Sequence, residues 1–380
     1  MGDMKVAIVH DALTSYEGPE LVLEQLIVLF PNADLFAVVD FLEEADRAFL
    51  KHKNVTTTML QKMPFAKRLP RYYTPLMRYA IEQLNLSKYD LIISSSLAVA
   101  KGVLTRPNQL HISYVHSYAS DKQQDYGSFL SRIGLFFLRN WDVRSSNRVD
   151  YFICNSRLSE RRIWKCYRRE AVPIYPPVRT ELYTLCEEKD DYYVTVSRLE
   201  PNKNVHILVE AFADMPNKKL IVIGDGPQLR MLRKMASPNI LLLGDLPEAQ
   251  IIQYIQRAKA FLYASNEDFS SNIVEAQSCG TPVIAYGRSS AFETVRGLGH
   301  AEKPTGLFFE EQTSVAIKNE VHHFENVSHL FHPAQIREHA ESFSIERFRQ
   351  NILAYFQERL GIVDPIEIVP PQMVKEVSTT

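Results

Sequence analysis

Two doubly wound α/β domains are predicted by three observations. Short apolar, β-branched runs alternate with stretches whose apolar residues fall at helical spacing. A proline-rich segment, Pro173-Ile-Tyr-Pro-Pro-Val178, separates two such series. The chain has 380 residues, more than one hydrophobic core ordinarily serves. The first series opens with Lys5-Val-Ala-Ile-Val-His10 as a strand and residues 20–30 as a helix. Asp34-Leu-Phe-Ala-Val-Val-Asp40, Tyr89-Asp-Leu-Ile-Ile-Ser94, His111-Ile-Ser-Tyr-Val-His116 and Asp150-Tyr-Phe-Ile-Cys-Asn155 follow as further strands. Such near-continuous apolar runs suit parallel strands covered by helices on both faces.

The three prolines of 173–178 cannot continue a helix and favour an extended connector. Beyond them the pattern restarts, with strands expected at 192–197, 219–224, 240–244, 260–263 and 282–285. Each half reads as a Rossmann-like domain, which binds ligands in the crevice beyond the C-terminal ends of its strands. An amphipathic helix is expected at Ile345 to Leu360, followed by a polar tail. The expected division is therefore 1–172, 173–345, a C-terminal helix at 346–362 crossing back to the first domain, and a disordered tail at 363–380.

Composition narrows the function classes. A net charge of −2 gives no overall attraction to nucleic acid, and the basic residues follow no nucleic-acid-binding module. The charge is uneven: residues 1–172 hold 23 Lys and Arg against 18 Asp and Glu, whereas the remainder holds 20 against 27. Cys154, Cys166, Cys186 and Cys279 form no C-x-x-C pair, so neither a zinc site nor a disulfide framework is indicated, and a reducing cytoplasm fits. The apolar run at Val6 to Val9 is too short for a signal peptide, and no run reaches about 18 apolar residues. A soluble or peripheral membrane protein is expected.

Glu267-Asp-Phe-Ser-Ser-Asn-Ile-Val-Glu275 sets two carboxylates around a polar loop between a strand and a helix. The backbone N–H groups of Ser270, Ser271 and Asn272 would face outward at the helix N-terminus, where phosphate or sugar hydroxyls can be met; an ordinary acidic helix start fits the same residues. Upstream, Arg198 and Lys203 follow a strand, one a bidentate fork for a diphosphate and the other a point charge, or both simply solvated. Val222-Ile-Gly224-Asp-Gly226-Pro is a glycine-rich turn but not the full dinucleotide fingerprint, which argues against a dehydrogenase.

This order of motifs resembles glycosyltransferase family 4, particularly its bacterial polysaccharide mannosyltransferase-like members, over roughly residues 4–360. The resemblance rests on Ala7-Ile-Val-His10-Asp11 with Gly18, Leu91-Ile-Ile-Ser-Ser-Ser96 with Ala98-Val-Ala-Lys-Gly102, and Val115-His116-Ser117. It continues through Cys154-Asn155-Ser156, Tyr175-Pro-Pro-Val178, Ser197-Arg198 with Lys203, Gly224-Asp-Gly-Pro227, the 267–275 block, Gly280-Thr-Pro-Val-Ile-Ala285 and Thr305-Gly-Leu-Phe308. It implies the GT-B fold, two Rossmann-like domains facing a central cleft, with an acceptor domain first and a nucleotide-sugar donor domain second. It further implies retaining transfer of a hexose, without a metal or other cofactor, from GDP-mannose or a UDP-hexose to a polysaccharide or lipid-linked glycan.

Residue by residue, the resemblance implies Arg198 and Lys203 on the diphosphate, Glu275 on the ribose, and Glu267 near the sugar hydroxyls. Gly18, Gly224, Phe269, Ser270, Ser271 and Asn272 would complete the donor site, and His116 would stand beside the reacting centre with Arg198, Lys203 and Glu267. The chain carries Glu17-Gly18-Pro19-Glu20 where relatives have two adjacent glycines before a Glu, and Tyr118 to Asp125 where they have Pro, Arg and aromatics. A catalytically inactive relative that binds a glycan, nucleotide or partner protein is the alternative these departures leave.

Two basic segments suggest a partner. Lys62, Lys67, Arg68, Arg71 and Arg78 interleave with Met63, Phe65, Leu69, Tyr72 and Tyr73, and Arg157, Arg161, Arg162, Lys165, Arg168 and Arg169 surround Trp164 and Tyr167. Both mixtures suit an anionic bilayer on the cytoplasmic side, and both also suit a solvated helix face.

Overall fold

The computed structural model describes residues 4–64, 67, 70–117 and 129–361. The expected disordered tail, the segment Tyr118 to Asp125, and Phe65, Arg68 and Leu69 of the first basic run lie outside the described residues.

Two parallel sheets organise the chain. The first contains β1 (Val6–Leu13), β2 (Asp34–Asp40), β3 (Val55–Thr57), β4 (Leu91–Ser96), β5 (Leu110–Val115), β6 (Tyr151–Cys154) and β7 (Ala171–Pro173), in the order β3-β2-β1-β4-β5-β6-β7. Its helices are α1 (Gly18–Leu29), α2 (Pro70–Glu82), α3 (Phe129–Ser145) and α4 (Arg157–Tyr167). The second sheet contains β8 (Tyr193–Val196), β9 (Leu220–Ile223), β10 (Ile240–Gly244), β11 (Ala260–Tyr263), β12 (Val283–Tyr286) and β13 (Gly306–Phe309), ordered β10-β9-β8-β11-β12-β13. Around it lie α5 (Val205–Ala213), α6 (Leu229–Met235), α7 (Glu248–Arg257), α8 (Ser271–Ser278), α9 (Ala291–Thr294), α10 (Ser314–Val327) and α11 (Pro333–Ala340). The chain then enters α12 (Ile345–Leu360).

The strands form where apolar, β-branched residues can be buried on both faces, so β4, β9 and β11 have no exposed residue. The strands that the apolar pattern leaves unread are β3, β7 and β13, and each is a sheet edge. An edge strand needs only one neighbour and can be three or four residues long, too short for a period to emerge. Helix α1 starts at Gly18, earlier than its apolar spacing suggests, because Pro19 in the first turn has no N–H to lose and a preset φ. In both sheets the strand order reverses direction beside the first strand, between β1 and β4 and between β8 and β11. Chain ends leaving these strands diverge there and open a crevice.

Helix α12 belongs to the first core although it follows the second sheet. Its Phe348, Ile352, Tyr355 and Phe356 cluster with Ile8, Val22 and Ile27, and the Phe356 ring meets Phe30 at 5.1 Å. Burying each such phenylalanine contributes roughly 2–3 kcal/mol. The two passages between sheets are tied together, since the Val178 N–H donates to the Phe343 carbonyl at 2.9 Å and Val178 bridges Ser344. Ser344 then caps α12 by accepting from the Arg347 N–H at 3.3 Å.

A buried ion pair lies inside the first domain. Lys101 and Asp142, both fully buried, form an ion pair that Tyr167 completes by donating its hydroxyl to Asp142 at 2.6 Å. A buried charge left without its partner is costly, so the pair fixes α3 and α4 against the loop after β4.

Three buried histidines make stability depend on pH. Burial pushes His111 and His339 down to about 4 and His116 down to about 3, below an ordinary value of 6.5. The unfolded chain therefore binds protons on these rings near pH 6.5 while the folded chain refuses them. Stability falls as pH drops from 6.5 towards 4, by about 1.4 kcal/mol per pH unit for each ring. Urea midpoints at several pH values should follow this trend, and His339→Gln should remove one ring's share of the slope.

Candidate functional site

A cavity of about 580 Å³ opens between the two sheets and takes residues from both. The first domain supplies the loop after β1 (Tyr16, Glu17, Gly18, Pro19), Leu97 after β4, His116 and Ser117 after β5, and Asn155 and Arg162 at α4. The second supplies Asn266 to Phe269 after β11, with Ser271 and Glu275 of α8, and the connector adds Pro176 to Arg179. Every contributing loop follows the C-terminal end of a strand, as the two switch points require.

The wall beneath Leu97 is set by one carboxylate. Asp11, in β1 and buried, accepts the N–H groups of Leu97, Ala98, Val99 and Ala100, three of them at 2.6–2.8 Å. His116 is anchored as firmly. Its N–H donates to the Ser96 carbonyl at 2.9 Å, its carbonyl accepts from Asn155 Nδ2 at 2.9 Å, and its Nε2 lies 2.8 Å from Ser95 Oγ.

On the opposite wall, Glu275 sits partly buried on α8. Burial raises its carboxyl above the ordinary range, while hydrogen bonds from Ser271 and Tyr183 work in the other direction. Glu267 accepts from the Tyr263 hydroxyl at 3.0 Å and pairs with Lys203. Phe269 stacks on Tyr175 of the connector at 6.4 Å and tilts against Phe343, so the loop tip joins the aromatic cluster where the chain passes between sheets. Ser270 is the N-cap of α8 and is buried.

The predicted residues do not all share one cavity. Gly18, His116, Glu267, Phe269, Ser271 and Glu275 line the main one. Arg198, Gly224 and Asn272 line an adjoining recess of about 450 Å³ at the ends of β8 and β9, while Lys203 reaches Glu267 from the loop between. Asn272 turns its amide to the Val196 carbonyl at 2.7 Å. Gly224 is needed by the chain itself, since its φ is +130° and a Cβ would stand 1.9 Å from the Ser197 carbonyl oxygen.

Several residues enter the site that the motifs did not mark. Arg162, read within a basic run suited to a bilayer, instead lines the cavity and pairs with Asp268 of the second domain. Arg169 of the same run donates to the carbonyls of Val149 and Asp150 at 2.6 and 2.9 Å. A basic helix sequence does not reveal which turn faces a neighbouring domain. Arg179, in the connector, lies 5.7 Å from the Tyr16 ring and pairs with Glu248. Among the described residues no group of His, Cys, Asp and Glu side chains could hold a metal ion, and no helix is long and apolar enough to cross a membrane.

The two domains are joined across the cleft by polar contacts. Arg198 pairs with Glu17, and Glu293 of α9 accepts the N–H groups of Arg157 and Leu158 at 2.7 and 2.9 Å, capping α4 from the other domain. The Tyr175 hydroxyl donates to the same carboxylate at 3.1 Å.

Residues 184–342 match the model of the family described as glycosyl transferases group 1. The match falls within the second domain. Alpha-monoglucosyldiacylglycerol synthase of Acholeplasma laidlawii is 32% identical over 152 residues, 37% of this chain and 34% of that protein. The GDP-mannose-dependent monoacylated alpha-(1-6)-phosphatidylinositol monomannoside mannosyltransferase of Corynebacterium glutamicum is 32% identical over 114 residues, 26% of this chain and 30% of that protein. The chain thus spans about a third of the length of these curated relatives. The Anabaena protein HepE, solved in complex with UDP, superposes with a TM-score of 0.71 at 19% identity, covering 93% of this chain and 100% of its own. The architecture is GT-B, two parallel-sheet α/β domains about a cleft.

The Glu17 carboxylate pairs with the Arg198 guanidinium, so it would compete with an anion that entered there. Both side chains are about half exposed, so their pairing is a weak one. Glu17→Gln should tighten binding of a nucleoside diphosphate about 2- to 5-fold in calorimetric titration, the scale of an exposed ion pair. Weaker binding would mean that Glu17 itself touches the ligand.

Proposed function

We propose that the protein transfers a hexose from a nucleoside diphosphate sugar to a lipid-linked or polysaccharide acceptor, with retention of configuration. The observation that carries this reading is the convergence of Arg198, Lys203, Glu267 and Glu275 beside the N-terminus of α8, across a cleft from His116. Arg198 and Lys203 would neutralise the charge that develops on the departing diphosphate, stabilising the transition state more than the ground state. Glu275 would accept hydrogen bonds from the ribose, and its raised proton affinity suits a carboxyl that awaits hydroxyl donors. Glu267, with Phe269, Ser270, Ser271 and Asn272, would frame the sugar, and Gly18 leaves open space on the facing wall, where a Cβ would meet nothing.

A UDP donor is supported by the UDP bound to the Anabaena protein, and a mannosyl donor by the corynebacterial relative. Both curated relatives act on lipids, which supports a lipid-linked acceptor and attachment to a membrane surface. The exposed Phe136, Phe137 and Val143 of α3, with Leu76 and Tyr79 of α2, make an apolar face beside Arg78 that suits this attachment better than α4, whose arginines are partly engaged inside the protein.

Thermal-shift titration with UDP-, GDP- and other nucleotide sugars should raise the melting temperature with one base class. Arg198→Ala and Glu275→Ala should then lower turnover with that donor at least about 100-fold, the cost of losing a transition-state contact. No shift with any nucleotide, or unimpaired turnover in both variants, would refute the assignment. Cosedimentation should favour anionic over neutral vesicles, weaken with salt, and fall when Phe136 and Phe137 are replaced by Ser; equal binding to both vesicle types would count against the attachment.

A further inference from the structure

A buried polar chain runs from α1 through the first sheet to the cavity. Glu20 Oε1 lies 3.4 Å from His10 Nε2, His10 Nδ1 lies 3.0 Å from Ser95 Oγ, and Ser95 Oγ lies 2.8 Å from His116 Nε2. All four residues are buried, and His10 and Ser95 are completely so. They come from four different segments, α1, β1, β4 and the end of β5, so the alignment is a product of the fold and not of local sequence.

For a neutral His10 the hydrogen-bond chemistry gives the chain one direction. The Glu20 carboxylate is an acceptor at both oxygens, and its Oε2 already takes the Glu17 N–H at 3.0 Å. Its Oε1 therefore accepts from His10 Nε2–H. A neutral imidazole protonated on Nε2 must accept at Nδ1, so Ser95 donates its hydroxyl proton to His10. A serine hydroxyl has one proton, and having given it to His10, Ser95 can only accept from His116. The proton of the His116 ring is thereby held on Nε2, leaving Nδ1 as its acceptor. Among the described residues Nδ1 of His116 makes no hydrogen bond, and it is the one ring nitrogen left to meet a ligand in the cavity that the residue lines.

We propose that Glu20, His10 and Ser95 are positioning residues that hold His116 in a single neutral tautomer, protonated on Nε2, so that Nδ1 is presented to the cleft as a hydrogen-bond acceptor for a hydroxyl of the bound ligand. The inference rests on the transferase reading only for what the presented nitrogen does. The geometry of the chain stands apart from that reading. The tilted contact of His116 with the Tyr114 ring, at 4.9 Å, restricts the imidazole's plane, but cannot choose which nitrogen carries the proton. The chain makes that choice, and the low proton affinity that burial imposes on His116 keeps the ring neutral across the physiological range.

The test is nitrogen-15 NMR of the full chain labelled on histidine, read together with steady-state kinetics. In the parent protein the His116 ring should show a protonated Nε2 and an unprotonated Nδ1 throughout pH 5–8. In Ser95→Ala the Nδ1-protonated tautomer should become populated, and kcat should fall about 10- to 100-fold, with donor KM changed less than about 2-fold. His10→Gln serves as a second variant, since it spares the β4 strand and should loosen the same preference. A single unchanged tautomer in both variants, or kcat within about 2-fold of the parent in both, would overturn the proposal. A tautomer switch in a protein that turns over no nucleotide sugar would support the positioning chain and refute the transferase reading instead.

Discussion

The buried carboxylate of Asp11 is the constraint on which the first domain's side of the cleft depends. It stands in β1 beside the switch point and holds four consecutive N–H groups of the segment that leaves β4. Four donors around one carboxylate satisfy it without a counter-ion, which is how a charge can be tolerated in so dry a place. The turn from Leu97 to Ala100 is then rigid, Ser117 fastens to the Leu97 carbonyl at 2.8 Å, and the end of β5 with His116 is placed relative to both. Lys101, the next residue, carries the same order outwards to Asp142 and Tyr167. Loss of this grip would release the cavity wall, and with it the position of every group that lines that wall.

The second domain is built on the opposite logic, with the charges that face the cleft exposed at Arg198 and partly buried at Lys203 and Glu267. Lys203 with Glu267 and Arg198 with Glu17 are ion pairs at the cavity and its adjoining recess, not in the core. The exposed pair of Arg198 with Glu17 is cheap to exchange, so a charged group entering the cleft can replace it without unfolding anything. The rigid wall and the exchangeable wall face one another across the same space.

Much of this arrangement was legible in the residues. The interior strands announce themselves because burial on both faces demands runs such as Ala7 to Val9 and Leu220 to Ile223. The edge strands β3, β7 and β13 do not, since three or four residues are too few to carry a period. Glu267, Glu275, Arg198 and His116 stand out because each follows a strand end within a recognisable motif. Arg162 and Arg179 do not, because their role depends on a facing domain whose position no local pattern encodes. The link from Glu20 through His10 and Ser95 to His116 is least readable of all, with 85 positions separating His10 from Ser95. Gly224 was marked for the ligand, yet the Ser197 carbonyl already explains why no side chain is tolerated there.

The pairing of the two interdomain passages has a mechanical consequence. Val178 and Ser344 lie side by side, so both covalent links between the sheets emerge at one edge of the cleft. A rotation about that edge leaves the links intact and breaks only polar contacts farther out: Arg162 with Asp268, Arg198 with Glu17, and the Glu293 carboxylate on α4. Each of these reforms with water at little cost, whereas neither hydrophobic core is disturbed. The two links therefore form a narrow hinge with a hydrophilic lip opposite it, about which two separately packed bodies can swing without either core being opened.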